Sequence, residues 1–251
     1  MMITSRTSIL IFLSSITFLG CAAAYSAEEP EKIVEEEKKI EYKLTPSYYS
    51  STDGNSASDI NLRGSIGQHT LWVGIYGDKN SYHQERAGYE NRMDFGLTRW
   101  VLSAQFASGG FIGGSVTTEI GEDTFGIVGI GRTNLRDYYN LNFDPNDAIT
   151  IGVGTRAIAK TELSFFQVRD DRLNTQQQVT HFVWRYKPSE SQRITIDSSY
   201  KSGLISDNKF IKGYGLSITY DYHSYFVRLA KDQFANFNDS DLTRLSLGMR
   251  F

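Results

Sequence analysis

Within residues 241–251, DLTRLSLGMRF, apolar and polar positions alternate without a break from Arg244 to Phe251. Successive side chains of a β-strand point to opposite faces, so this period of two predicts an extended strand. Its two faces are an apolar one, Leu245, Leu247, Met249 and Phe251, and a polar one, Arg244, Ser246, Gly248 and Arg250. Such a strand is half-buried, and the medium that covers its apolar face decides the fold.

The same alternation runs from Ile40 to Phe251 and is not interrupted by a helical period. It divides into fourteen stretches of about 8 to 11 residues, the length of a tilted strand that crosses a bilayer. Twelve strands is the alternative count. The predicted strands are 40–50, 58–66, 69–77, 84–94, 98–107, 111–120, 124–132, 148–158, 161–169, 177–187, 192–201, 211–220, 224–231 and 242–251.

The connections between these stretches alternate in length, except at SGG (residues 108–110), which is short where a long loop is expected. Short ones such as DYH are followed by long ones such as DQFANFNDSD, and the longest runs from Thr133 to Asp147. Outer-membrane barrels have short periplasmic turns and longer outer loops. An even strand number also places both ends of the sheet on one side. We therefore predict an all-β, transmembrane, up-and-down antiparallel β-barrel in the bacterial outer membrane. A water-soluble β-sandwich, with the apolar faces as its core, is the alternative.

The C-terminal LTRLSLGMRF resembles the final strand of Gram-negative outer-membrane β-barrel proteins, in which alternating apolar residues end on Phe. The resemblance is to the class and names no family. In that class the last strand is the signal for the barrel-assembly machinery. The resemblance implies that Leu247, Met249 and Phe251 form the face that the barrel-assembly machinery recognises. It also implies that this machinery is a partner of the chain.

Composition excludes several kinds of function. The net charge of −3 shows no nucleic-acid footprint. Cys21 is the only cysteine, which excludes disulfides and cysteine-based zinc sites in the rest of the chain. None of the four histidines stands at chelating spacing from another. We expect no metal site and no cofactor.

The N-terminal residues predict export. Arg6, the apolar run SILIFLSSITFLG and the small residues CAAAYSA form a signal peptide over residues 1–24, with Ala22-x-Ala24 before the cleavage point. The alternative is a permissive lipobox, FLGC, with Cys21 lipidated. Residues 25–39 form a charged periplasmic segment ahead of the barrel, residues 40–251. Within that segment, residues 28–39 are a candidate docking site for a periplasmic partner.

The polar strand faces predict a lumen with more basic than acidic side chains. Rings of Arg and Lys give pores a preference for anions. Pairing with carboxylates on neighbouring strands would neutralise part of this charge. We therefore predict a channel or export pore for small or anionic solutes, with saccharides as one candidate class. The candidate lumen and solute-binding residues are Arg99, Arg132, Arg156, Arg185, Arg193, Arg228, Arg244 and Arg250.

The residues are also compatible with two functions other than a channel. Ser164, His181 and Asp197 share the inward parity of adjacent strands, so they could form a serine hydrolase array in a surface enzyme. The third possibility is a structural or interaction barrel of an envelope assembly.

The long connection between Thr133 and Asp147 is the strongest candidate for a functional loop. Its Tyr138, Tyr139 and Asn140 could stack on and hydrogen-bond a sugar, or could pack as a lid over the lumen. The outer loops, including this one, carry acidic clusters that suit turns or divalent-ion bridges to lipopolysaccharide phosphates, namely Asp144 with Asp147, Asp170 with Asp171 and Asp239 with Asp241. We expect outer-membrane lipids and lipopolysaccharide as partners.

Overall fold

The computed structural model describes residues 39–205 and 207–251 as a sheet of fourteen β-strands. The strands are β1 (Glu41–Ser51), β2 (Ser56–Ile66), β3 (His69–Asp78), β4 (His83–Phe95), β5 (Thr98–Ala107), β6 (Phe111–Gly121), β7 (Thr124–Thr133), β8 (Ala148–Thr155), β9 (Thr161–Asp170), β10 (Gln178–Ser189), β11 (Gln192–Leu204), β12 (Phe210–Tyr222), β13 (Tyr225–Asp232) and β14 (Leu242–Arg250). Two short 3-10 turns, Ser108–Gly110 and Ala235–Phe237, complete the regular structure of this part of the chain. No helix of the described residues is long and apolar enough to cross a membrane.

The sheet closes on itself. Each strand pairs antiparallel with the next, and β1 pairs with β14 through Lys43 opposite Arg250 and Tyr49 opposite Arg244. The predicted all-β antiparallel barrel is confirmed, with fourteen strands rather than twelve. The predicted boundaries differ from the observed ones by at most three residues, as at β8, which ends at Thr155, and β11, which extends to Leu204.

The barrel has an apolar outside and a polar inside. Large apolar side chains on the outward positions are well exposed, for example Leu71 at 65%, Ile151 at 64% and Tyr214 at 66%. Inward positions carry charged and hydroxyl side chains such as Asp59 and Ser246, which are buried. This distribution is the reverse of a water-soluble β-protein and suits a barrel whose outward face meets lipid.

The two rims of the barrel differ. One rim, the terminal end, contains the start of β1, the end of β14 and the short turns. The other, the loop end, contains the long connections 134–147, 171–177 and 233–241. The predicted signal peptide, the possible lipidation at Cys21 and the charged segment lie outside the described residues, except for Lys39.

Phe226 occupies the space that a missing side chain leaves in the last strand. Its ring lies over Gly248 on the neighbouring strand, where an added Cβ would meet Cε1 at 1.8 Å. At Gly126, on the outward face of β7, the nearest atom would be 4.0 Å away.

We therefore expect Gly248→Ala to destabilise the barrel by about 1–3 kcal/mol through overpacking, and Gly126→Ala to change its stability little. Urea unfolding of the two variants in detergent micelles compares the same substitution at the two sites. Equal unfolding midpoints would contradict this packing of Phe226.

Candidate functional site in the lumen

The connection between β7 and β8, residues 134–147, enters the barrel from the loop end; we call it the inward loop. Its Leu141 and Phe143 are 9% and 3% exposed and pack in a cluster with the inward-facing Tyr49, Tyr76 and Leu242. These residues belong to β1, β3 and β14, which lie across the barrel from the ends of the loop. The loop therefore crosses the lumen.

Polar side chains of the wall bind the backbone of the inward loop. Gln84 accepts a hydrogen bond from the Tyr139 N–H at 2.8 Å and donates one to the Tyr139 carbonyl at 3.3 Å. Arg244 Nη1 donates to the Leu141 carbonyl at 3.0 Å. Phe111 stacks on Tyr138 at 4.1 Å between ring centroids. The loop is thus held by both apolar and hydrogen-bonded contacts.

Asp147, which is 3% exposed, connects the two ends of the inward loop. Its carboxylate accepts hydrogen bonds from the Thr133 N–H at 3.1 Å, from the Thr133 hydroxyl, and from Arg172 Nη1 at 2.8 Å. Burial alone would raise the pKa of Asp147, but these hydrogen bonds and the Arg172 charge hold the pKa below its ordinary value.

A carboxyl group whose pKa is lower in the folded state than in the unfolded state stabilises the folded state fully at pH values above its ordinary pKa. This stabilisation is lost as the pH falls through the pKa that the group has in the folded state. We expect hydrogen-exchange protection of residues 133–147, corrected for the intrinsic rate, to persist from neutral pH down to the ordinary aspartate range and to fall only below it. Asp147→Asn should show reduced protection already at neutral pH. A loss of wild-type protection near pH 6 would contradict this role.

Two cavities lie on either side of the inward loop. A cavity of about 500 Å³ below it is lined by inward residues of β1–β6, β13 and β14, and a cavity of about 370 Å³ opens among the loops. Tyr138 and Asn140 line both cavities. These two residues form the partition between the lumen and the loop end.

The larger cavity contains more basic than acidic side chains. Each of its two carboxylates forms an ion pair with one arginine: Glu90 pairs with Arg63 at 3.0 Å, and Asp59 pairs with Arg86. The charge of these two pairs is neutralised within the wall of the barrel.

Three further cations line this cavity and form no ion pair with a described residue: Lys43, Arg228 and Arg244. Lys43 Nζ lies 4.5 Å from the centroid of the Phe226 ring, and Arg228 Nε donates to the Thr219 hydroxyl at 3.0 Å. Arg244 binds the Leu141 carbonyl through Nη1, whereas its buried Nε has no hydrogen-bond partner. The strands β1, β13 and β14 therefore place unneutralised positive charge in the cavity.

Most of the other predicted lumen arginines lie on the wall in ion pairs. Arg156 bridges Glu119 at 2.5 Å and Glu162 at 3.0 Å, and its guanidinium lies on the Phe125 ring. The remaining pairs are Arg185 with Glu162, Arg99 with Asp94 and Glu119, and Arg193 and Arg250 with Asp221. Of the eight candidates, Arg228 and Arg244 thus remain as cavity cations.

The prediction that Arg132 faces the lumen is wrong. Arg132 pairs with the outward-facing Gly114 and continues the outward face of Val128 and Ile130. Its guanidinium binds the Asp171 carboxylate through two hydrogen bonds of 2.9 and 2.6 Å. The glycine-rich segment 125–132 has apolar residues on both faces, so its alternation assigned the wrong face to this arginine.

The structure does not join Ser164, His181 and Asp197 as a catalytic array. His181 Nδ1 lies 2.9 Å from Asp197, but Nε2, which would accept the serine proton, lies 3.0 Å from Asp144 of the inward loop. Ser164 is paired with Val183 rather than His181, and no hydrogen bond joins it to His181 within the described residues. His181 instead connects the barrel wall to the loop.

The residues proposed as the assembly face lie at the end of the sheet. Leu247 and Met249 are outward-facing, and Phe251 follows β14 with its N–H and carbonyl paired to Tyr42 at 3.0 and 2.9 Å.

Over residues 39–205 and 207–251, no group of three or more His, Cys, Asp and Glu side chains could hold a metal ion. The outer acidic residues Asp144, Asp147 and Asp171 bind His181, Arg172 and Arg132.

Sequence reasoning did not find the loop-binding residues Gln84 and Tyr49, nor the half-buried acid Asp232, which lies 3.6 Å from the buried Lys201. One signal for the loop was present, since the connection contains the large apolar side chains Leu141 and Phe143.

In overall shape the barrel matches the crystal structure of the outer membrane protein Omp33 of Acinetobacter baumannii, with a TM-score of 0.54, 10% sequence identity, and coverage of 84% of this chain and 98% of that one. The chain has the fold of an outer-membrane β-barrel protein. A weaker match is to OccAB3 of the same organism, with a TM-score of 0.47, 8% identity and coverage of 86% and 99%. No protein-family model and no curated protein matches the sequence.

Proposed function

We propose that the protein is an outer-membrane channel that passes small anionic solutes, with the inward loop as its partition. The observation that carries the proposal is the group of cations Lys43, Arg228 and Arg244 in the cavity below the loop, none of which is ion-paired with a described residue.

These cations act in a confined space. A cleft with low-dielectric walls focuses the field of its charges and raises the local concentration of the opposite ion. Arg63 and Arg250 flank Lys43 on the neighbouring strands, but each is paired with a carboxylate. The unpaired group therefore dominates the field in the cavity, and an anion is the solute that it favours.

A solute that crosses the barrel has to pass Tyr138 and Asn140, because these residues separate the two cavities. The phenol of Tyr138 donates to Gln105 at 3.3 Å, and the Asn140 side chain is bound within the loop to Asp144 and Asn146. Displacement of this partition is the step that opens the channel in our proposal.

The proposed location is supported by the apolar outward face and by the likeness in fold to Omp33, which is an outer membrane protein. The terminal end then faces the periplasm and the loop end faces outward, as short turns and long loops require. In the same proposal, Leu247, Met249 and Phe251 form the face that the barrel-assembly machinery recognises, and outer-membrane lipids surround the apolar strands.

The proposal is tested by the reversal potential of single channels in a planar bilayer under a salt gradient. We expect wild-type openings to favour anions, and Lys43→Gln/Arg228→Gln to lower the anion-to-cation permeability ratio by about tenfold. Neither substitution deprives a carboxylate of an ion-pair partner.

The matched control is Arg169→Gln/Lys212→Gln, which removes the same charge from the outward face. This variant should retain the wild-type ratio. Equal ratios in the lumen variant and the wild type would contradict the proposal, as would a cation preference of the wild type.

A further inference from the structure

In the strands that the structure describes, charged side chains on the outward face occur only at the loop end. Within the strands, the outward-facing positions that carry Asp, Glu, Lys or Arg are Glu85, Arg132, Arg169, Lys212 and Lys231. Each lies within three residues of the loop end of its strand. Four of the five are cations. The outward face is therefore basic at one rim and free of these charges elsewhere in the described strands.

Two of these cations belong to one row across four strands. Arg169 of β9 pairs with Gln178, Gln178 with Ser202, and Ser202 with Lys212 of β12. We call these four residues the cationic row. Neighbouring strands lie about 4.8 Å apart, so the two cations are separated by about 14 Å along the row. Gln178 Nε2 donates to the Ser202 hydroxyl at 3.1 Å between them.

The cations of this row are available to a ligand. Arg132 is neutralised by Asp171, but neither Arg169 nor Lys212 forms an ion pair with any described residue. Both side chains are exposed.

Polarity falls in steps from the cationic row toward the terminal end. The next outward row carries uncharged polar groups, in which Gln167 Nε2 donates to the Thr180 hydroxyl at 3.2 Å and the rings of Tyr200 and Tyr214 lie 5.4 Å apart. The two rows after that are mainly apolar, Phe165, Phe182, Ser198 and Leu216, then Leu163, Trp184, Ile196 and Ile218. Charge, hydrogen-bonding groups and hydrocarbon thus follow one another on a single face.

We propose that this face binds a phosphorylated lipid of the outer leaflet, the lipopolysaccharide expected around an outer-membrane barrel. Arg169 and Lys212 contact its phosphates, the row of Gln167 and Thr180 contacts the polar part below them, and the apolar rows contact its acyl chains. Charge complementarity with a phosphate and the adjoining apolar rows select an amphiphile over a free anion. The inference rests on the proposed outer-membrane location, but not on the channel activity.

The test is a titration of the purified full-length protein, in neutral detergent, with lipopolysaccharide. We expect Arg169→Gln/Lys212→Gln to bind about thirtyfold more weakly than the wild type. Dephosphorylated lipopolysaccharide should bind the wild type as weakly as lipopolysaccharide binds the variant. Inorganic phosphate should not compete at matched concentration.

The control is Lys43→Gln/Arg228→Gln, which removes two charges from the lumen and should bind the lipid as the wild type does. Equal affinities of the outward variant and the wild type would overturn the inference, as would equal weakening by the lumen variant or competition by inorganic phosphate. Retention of the wild-type circular dichroism by both variants shows that they are folded. Because each variant is the other's control, failure of lipid binding and failure of anion selectivity are separate results.

Discussion

Replacing Leu141 and Phe143 by serine is expected to open the lumen and raise the single-channel conductance severalfold. The two side chains are buried in the cluster with Tyr49 and Tyr76 and hold the inward loop across the barrel. Truncation of a buried Leu or Phe costs about 2–5 kcal/mol, whereas a typical hydrogen bond contributes about 1 kcal/mol. The hydrogen bonds to Gln84 and Arg244 are therefore weaker than the two apolar contacts that are lost, and we expect the middle of the inward loop to leave the lumen.

The control for this experiment is Leu135→Ser/Leu173→Ser, because these two leucines are 48% and 51% exposed at the same end of the barrel. This variant should conduct like the wild type. If the Leu141/Phe143 variant were folded, had a loop accessible to added protease and still conducted like the wild type, the loop would not be the partition.

The second large effect is expected at Arg86. Arg86 and Asp59 are 8% and 5% exposed and pair directly beneath the inward loop, where Tyr138 and Asn140 line the same cavity. Removing one member of a buried ion pair leaves an uncompensated charge and costs about 3–5 kcal/mol. Arg86→Met should therefore lower the free energy of unfolding by about this amount in a urea titration.

The double variant Asp59→Asn/Arg86→Met removes both charges and should recover most of this loss. Arg99→Met should cost about 0–1 kcal/mol, because Arg99 is 45% exposed and its pairs with Asp94 and Glu119 are open to solvent. If Arg86→Met were no more costly than Arg99→Met, the Asp59–Arg86 pair would not be buried as the structure has it.

The sequence predicts the barrel well because two different media act on alternate side chains. Most outward positions in contact with lipid are apolar, so the period of two persists through all fourteen strands. The interpretation failed at Arg132, where Phe125 and Ile127 are inward and Val128 and Ile130 outward, so that hydrophobicity no longer distinguishes the faces.

The candidate site is less predictable, since it depends on groups that the chain brings together from distant positions. Inward parity identified Arg228 and Arg244, but which arginines are neutralised depends on register, as with Arg156 and Glu119 from β6. The path of the inward loop depends on a complementary surface formed by β1, β3 and β14. Asp144, interpreted as a turn residue, binds His181 for this reason.

If the unpaired cations beneath the inward loop select anions, the reversal potential of wild-type channels under a salt gradient has to show it. We predict a reversal potential displaced toward the equilibrium potential of the anion. A displacement toward the equilibrium potential of the cation would contradict the proposal. The absence of any channel conductance, both from the wild type and from Leu141→Ser/Phe143→Ser, would contradict it as well.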